Sequence, residues 1–226
     1  MAARKVKALL LDFDGTIVDS ESVDLRSWEE IFESHGQSVP HDRFALRIGT
    51  IGVLDELDEL EAVLGRPVDR AQVEAVRRAR EAELMELEPA RAGVGDYLQA
   101  ARELGLRVGI VSSSTRAWVE GNLPRLGLHD GWACICCADG ERDRCKPSPA
   151  LYHEALRLLD LAPEEAIAIE DSPNGVAAAV AAGIFCVAVP NPVTSLLDLA
   201  GAGADLVLGS LEDLPLRQLL ARVEGT

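Results

Sequence analysis

A chain of 226 residues, 48% apolar and 27% charged, can bury a substantial core and has the make-up of a soluble globular protein. Its formal net charge of −16 excludes a general nucleic-acid binder, whose electrostatic footprint is basic. The charge is uneven, because residues 17–88 hold 18 Asp/Glu against 8 Lys/Arg. The basic start MAARKVKALLL meets an aspartate after Leu11, too soon for a signal peptide, and the apolar stretch from Gly175 to Pro190 is too short to span a membrane. These features predict a cytoplasmic protein that engages neither membrane nor nucleic acid. They carry no signal of its oligomeric state.

In chain order, the apolar run Val6–Phe13 reads as a buried strand that ends in Asp12-Phe13-Asp14-Gly15-Thr16. From about Ser20 to Leu87 the pattern is helical. Leu25, Trp28 and Phe32 fall at helical spacing, an acidic segment spans Leu54–Leu64, and an arginine-rich one spans Ala71–Leu87. Gly36, Pro40, Gly49, Gly65 and Pro67 punctuate this stretch, which contains no convincing strand. From Gly93 onward helices and strands alternate. Helices are predicted over Val94–Leu104, Arg116–Leu126, Ser148–Leu158 and Asn174–Ala182, and strands over Arg107–Val111, Trp132–Cys136, Ala166–Ile169 and Phe185–Val189. Such alternation implies a parallel sheet covered on both faces, with the first strand completed by the second half of the chain. The expected division is a core of residues 1–16 and 89–226 interrupted by a helical insert of residues 17–88.

Of the five cysteines, Cys134, Cys136 and Cys137 have the wrong spacing for a zinc site. Their alternation instead fits a strand with Cys134 and Cys136 on one face, and the odd total argues against disulfides.

Strand ends carry the chemistry. The first strand ends in Asp12 and Asp14, the second in Ser112-Ser113-Ser114, and the Ala166–Ile169 strand in Glu170-Asp171-Ser172, while a further loop holds Cys145-Lys146-Pro147. In a parallel sheet all carboxyl ends lie on one edge, so these groups converge. Each has an ordinary reading on its own. The serines could cap a helix, Ser172-Pro173 could be an N-cap with proline at the first helical position, and Lys146 could be a surface charge. Three strand ends and a loop patterned alike outweigh those readings together. Two carboxylates 4 Å apart repel by about 4 kcal/mol at an effective dielectric near 20, so four at one edge call for protonation or a cation. Oxygen donors without His or Cys suit Mg²⁺, which usually shares its coordination with substrate phosphate. Lys146 is one of three lysines, and with serine hydroxyls and free helix amides it would complete a phosphate site.

On these motifs the chain resembles the haloacid dehalogenase superfamily, in the subfamily with a helical cap inserted after the first strand. DFDGTIVDSE resembles the first motif, Ser112 the second, Lys146-Pro147 the third, and Ile169-Glu170-Asp171-Ser172 with Asn174-Gly175 the fourth. The spacing is most similar to that of sugar-phosphate phosphatases and β-phosphoglucomutases. The resemblance implies a Rossmann-like, doubly wound α/β core with a helical cap, and Mg²⁺-dependent hydrolysis of a small phosphorylated metabolite through an aspartyl-phosphate.

By the same resemblance, Asp12 is the expected nucleophile and Asp14 the expected general acid and base. Ser112 and Lys146 would hold the phosphoryl oxygens with the backbone amides of Phe13, Asp14 and Ser113. Asp171, the Asp12 carboxylate, the Asp14 carbonyl and Glu170 would hold the metal, and Arg47, Gly49 and Thr50 would lie in a specificity loop of the cap. Gly15-Thr16 and Glu88-Pro89-Ala90-Arg91 are the expected hinge linkers. Asp14 argues against the dehalogenases, which lack that second aspartate. A cap without lysine argues against the phosphonate-cleaving members. The alternative is a phosphosugar mutase. Mutases place a histidine on the first cap helix where counting from Asp19 puts Asp24, and they use a cap lysine that is missing here, although Arg47 could supply one positive contact. Hydrolysis is therefore favoured. His35, His41, His129 and His153 lie outside every motif.

Overall fold

The computed structural model describes residues 5–41, 44 and 55–225. Its centre is a six-stranded, wholly parallel sheet. The strands are β1 (Ala8–Leu11), β2 (Arg107–Ser112), β3 (Cys134–Cys137), β4 (Ala166–Glu170), β5 (Phe185–Ala188) and β6 (Leu206–Val207), in the order β3-β2-β1-β4-β5-β6. The helices are α1 (Ser20–Ser34), α2 (Glu56–Leu64), α3 (Arg70–Leu87), α4 (Val94–Leu104), α5 (Arg116–Asn122), α6 (Ala150–Leu159), α7 (Pro173–Ala181) and α8 (Leu216–Glu224).

Strand β1 lies between β2 and β4 and is apolar at every position because both of its faces are covered. Leu9 and Leu11 point into a cluster with Val94, Tyr97 and Ala101 of α4 and Leu216, Leu219 and Leu220 of α8. Ala8 and Leu10 point the other way, among Leu151, Ala155 and Leu156 of α6 and Val176, Ala178 and Ala179 of α7. This is the doubly wound α/β architecture read from the alternation. A third apolar cluster joins Trp28, Ile31 and Phe32 of α1 to Leu57 and Leu60 of α2 and Val73 of α3, with Val193 reaching it from the core side. Val23, Leu84 and Met85, near the sheet ends of α1 and α3, belong instead to the first cluster. No helix among the described residues is long and apolar enough to cross a membrane.

Element boundaries differ from expectation for local reasons. The ladder of β1 stops at Leu11, because the Phe13 carbonyl accepts from Ile17 N at 2.9 Å and Gly15 turns the chain with φ +76°. Helix α5 stops at Asn122 rather than Leu126, two residues ahead of Pro124, which has no amide to continue the ladder. Strand β3 begins at Cys134, just after Trp132, whose indole donates to the Leu128 carbonyl at 2.7 Å. Cys134 and Cys136 do share one face of that strand, and Cys137 faces the other cluster. All five cysteines are buried free thiols. Beyond Val189, strand β6 and helix α8 were not anticipated. Two residues of strand leave no period to read, whereas Leu216, Leu219 and Leu220 carry a helical signal.

Candidate active site

The carboxyl ends of β1, β2 and β4 and the loop before α6 meet on one edge of the sheet, where Asp12, Ser112, Lys146, Glu170 and Asp171 are all buried. A buried charge needs partners, and here the partners are each other. Lys146 Nζ pairs with Asp12 Oδ1 and lies 2.7 Å from Glu170 Oε1, which also accepts from the Tyr152 hydroxyl. The ammonium sits 5.7 Å from the centre of the Tyr152 ring. Burial alone would lower the Lys146 pKa, but the charges of Asp12 and Glu170 outweigh it and hold the ammonium above its usual range. Burial pushes the Asp12 carboxyl up to about 7, helped by Glu170 and Asp14 and opposed by Lys146. Asp171 is raised well above the carboxylate range, first by burial and then by Asp12, Glu21 and Glu170.

One ligand atom each from Asp12, Glu170 and Asp171 lie within 4.8 Å of one another. Glu170 Oε2 is buried with no hydrogen-bond partner. Two carboxyls raised by burial and by each other's charge, an unpartnered carboxylate oxygen and an all-oxygen donor set fit a hard divalent cation, which would relieve these costs together. The surrounding backbone is cleared for these side chains. A Cβ on Gly175 would overlap Glu170 Oε2, and one on Gly15 would overlap Asp171 Oδ2. Asp171 is oriented by Asn191, whose Nδ2 donates to Oδ2 at 2.6 Å while its Oδ1 accepts from the amides of Val193 and Thr194. The Asp14 side chain stands apart from this cluster, and the expected metal contact of that residue was its carbonyl.

Asp14 is half-buried and held by donors from three elements. Its Oδ1 accepts from Ser20 Oγ at 2.8 Å and Trp118 Nε1 at 2.8 Å, and its Oδ2 from Ser114 Oγ at 2.6 Å and Ser112 Oγ at 3.5 Å. The serine run is not a helix cap, since Thr115 caps α5 by accepting from Trp118 N. Ser112 Oγ accepts from Ser114 N at 3.0 Å, and Ser113 Oγ accepts from Lys146 N at 3.1 Å, which ties β2 to the lysine loop. Ser172 does cap α7, with Pro173 at the first helical position, as the local reading of that motif expects. Phe13 is wholly buried.

These groups open into a cavity of about 520 Å³ whose floor includes Asp12, Asp14, Ser112, Ser113 and Lys146 and whose opposite wall includes Glu21, Asp24, Arg77, Arg78 and Glu81 of α1 and α3. Arg47, Gly49 and Thr50 fall outside the described residues. Sequence reasoning missed Ser20, Ser114, Trp118, Tyr152 and Asn191. Ser114 was within reach as the third serine of its run. The other four sit on helices or loops where nothing local marks them.

Comparison with known proteins agrees with this geometry. Residues 6–183 match the family model for haloacid dehalogenase-like hydrolases. The chain is 43% identical over 192 residues to the YhcW protein of Bacillus subtilis (strain 168), covering 85% of this chain and 87% of that protein. It is 33% identical over 214 residues to validoxylamine A 7'-phosphate phosphatase of Streptomyces hygroscopicus subsp. limoneus, covering 92% and 95%. A crystal structure of a CbbY variant from Rhodobacter sphaeroides, in complex with xylulose-(1,5)bisphosphate, superposes with a TM-score of 0.71 at 28% identity, covering 92% and 96%. The chain belongs to the haloacid dehalogenase-like hydrolases. It is thus an enzyme, of the phosphatase kind.

Proposed function

We propose that this hydrolase is a Mg²⁺-dependent phosphatase that cleaves the phosphate monoester of a small hydroxylated metabolite, of the sugar-phosphate type, through an aspartyl-phosphate on Asp12. The observation that carries the reading is the Asp12 carboxylate, buried against Lys146 and within reach of Glu170 and Asp171, at the floor of a cavity that also contains Asp14.

In the first half-reaction an Asp12 carboxylate oxygen attacks phosphorus. The bond from phosphorus to the ester oxygen breaks, and Asp14 gives its proton to the departing alkoxide. In the second, water attacks phosphorus, Asp14 takes the water proton, and the bond to Asp12 breaks to release phosphate. Lys146 and the Ser112 hydroxyl neutralise and orient the phosphoryl oxygens, joined by the amides of Phe13, Asp14 and Ser113. Asp12, Glu170, Asp171 and the Asp14 carbonyl would hold Mg²⁺, which supplies charge neutralisation on the transferring group.

We assign residues 17–88 to a cap and residues 1–16 and 89–226 to the core. The separate apolar cluster of α1–α3 supports this division. The linkers support it too, since Val18 bridges Ala90 and Arg91 N donates to the Ile17 carbonyl at 2.8 Å. Arg47, Gly49 and Thr50 remain our candidates for a substrate loop. Asp24 lines the cavity where a mutase needs a proton-gating histidine, which favours water over a second sugar as the phosphoryl acceptor.

The test is phosphate release from a panel of phosphorylated metabolites, with and without Mg²⁺, beside an Asp12→Asn control. Release that depends on both Mg²⁺ and Asp12 is expected. Release that survives excess EDTA or the Asp12→Asn substitution would overturn the reading.

A further inference from the structure

We infer that Tyr152 is a positioning residue of the active site, whose hydroxyl fixes the Glu170 carboxylate with one oxygen on Lys146 and the other kept for the divalent cation. The inference rests on the proposed function and adds a residue that lies outside every motif and acts only through its neighbours.

Glu170 is wholly buried, and its two oxygens have different surroundings. Oε1 lies 2.7 Å from Lys146 Nζ and accepts from the Tyr152 hydroxyl. Oε2 has no hydrogen-bond partner and occupies the space that Gly175 leaves open by lacking a Cβ. Two donors on one oxygen and none on the other is the division that a carboxylate shared between a lysine and a metal needs. Lysine alone would not enforce it. The last torsion of a glutamate is soft, so the carboxylate could turn and bring both oxygens to the ammonium, with none left for a cation. A second donor on Oε1, supplied by a different element, opposes that rotation.

Tyr152 is built for this task. It sits in the first turn of α6, with its ring wholly buried in the apolar cluster on the α6–α7 side of the sheet, among aliphatic side chains and cysteines. Packing there holds the ring in place, and a phenol buried in such surroundings must find an acceptor in the protein. Glu170 is that acceptor, and a hydrogen bond to a charged oxygen is among the stronger kind. The same ring stands 5.7 Å from the Lys146 ammonium, so one side chain steadies both members of the Lys146–Glu170 pair. Hydrogen-bond partners that orient a metal-binding carboxylate in this way typically account for 10–100-fold in metal affinity.

Tyr152→Phe deletes the donor and keeps the ring. The probe is Mn²⁺, which takes the same oxygen donors as Mg²⁺, titrated into the full chain with the free ion counted by electron paramagnetic resonance. Its dissociation constant should rise about tenfold or more in Tyr152→Phe. A merely structural role would lower the urea midpoint and leave that constant where it was. A double-mutant cycle then asks whether Tyr152 acts through Glu170. Added to Glu170→Gln, Tyr152→Phe should change the constant by less than about twofold, because the oxygen it orients no longer serves the metal as a carboxylate. Equal Mn²⁺ affinity in wild type and Tyr152→Phe would overturn the inference alone, as would the same loss in both backgrounds. Wild-type protein that binds no Mn²⁺, and releases no phosphate from p-nitrophenyl phosphate with Mg²⁺, would overturn the proposed function with it.

Discussion

The indole Nε1 of Trp118 donates to Oδ1 of Asp14 at 2.8 Å, and thereby anchors the proposed acid and base to the first turns of α5. Asp14 directly precedes Gly15, whose φ of +76° turns the chain, and shares its carboxylate between this indole and three serine hydroxyls. Trp118→Phe keeps the ring and deletes only the donor. A hydrogen bond to a charged group is worth about 1.5–3 kcal/mol, so kcat should fall roughly 10–100-fold while KM changes little. Steady-state kinetics decide the matter, and an unchanged kcat would show that Ser20 and Ser114 suffice.

Asp12 and Asp14 should separate by the step they control. Asp12→Asn should abolish turnover with the fold intact. Asp14→Asn should slow it by roughly 10²–10⁴, the usual scale for general acid–base catalysis. With an activated leaving group the Asp14 variant should accumulate phosphoenzyme, because deprotonation of water then limits the rate. Intact mass spectrometry would show the added phosphoryl group, and its absence alongside equal slowing of both steps would count against the assignment.

Gly175 has no side chain because Glu170 occupies that space. A Cβ there would overlap Glu170 Oε2, so Gly175→Ala must displace that oxygen, the one of the carboxylate without a hydrogen-bond partner. Divalent-metal affinity should drop roughly 10–100-fold, as for loss of a supporting contact at a metal site. Titration calorimetry with Mg²⁺ reads this without reference to turnover. Unchanged affinity would remove Glu170 from the metal site.

Arg91 binds the two linkers to the loop that follows β5. Its guanidinium donates to the carbonyls of Gly15, Val189 (3.0 Å) and Pro190 (2.7 Å), and burial lowers its pKa. Arg91→Met leaves those acceptors without a donor and should destabilise the protein by about 2 kcal/mol or more, with Arg91→Lys recovering part. Urea unfolding midpoints at fixed Mg²⁺ measure it. Arg91→Met as stable as the wild type would mean that the backbone contacts between the linkers, the Val18–Ala90 bridge and the Arg91 amide to the Ile17 carbonyl, suffice.

Sequence by itself determined five of the six strands of the sheet, its two covered faces and the charged groups at its carboxyl edge. These are legible because they rest on short-range regularities: strand period, helix period, and polar residues placed where an apolar run ends. Asp12, Ser112, Lys146, Glu170 and Asp171 could be brought together on paper because every parallel strand delivers its last residue to the same edge. Tertiary structure alone decided the partners of those groups. Trp118 reaches Asp14 across 104 positions, and Tyr152 reaches Glu170 from the face of α6. Asn191 turns to Asp171 from a loop with no period, and Arg77 meets Asp24 only because α1 packs on α3. Each depends on how two elements sit against one another, and that is set by packing of buried side chains summed over the whole core, which no local stretch of residues records.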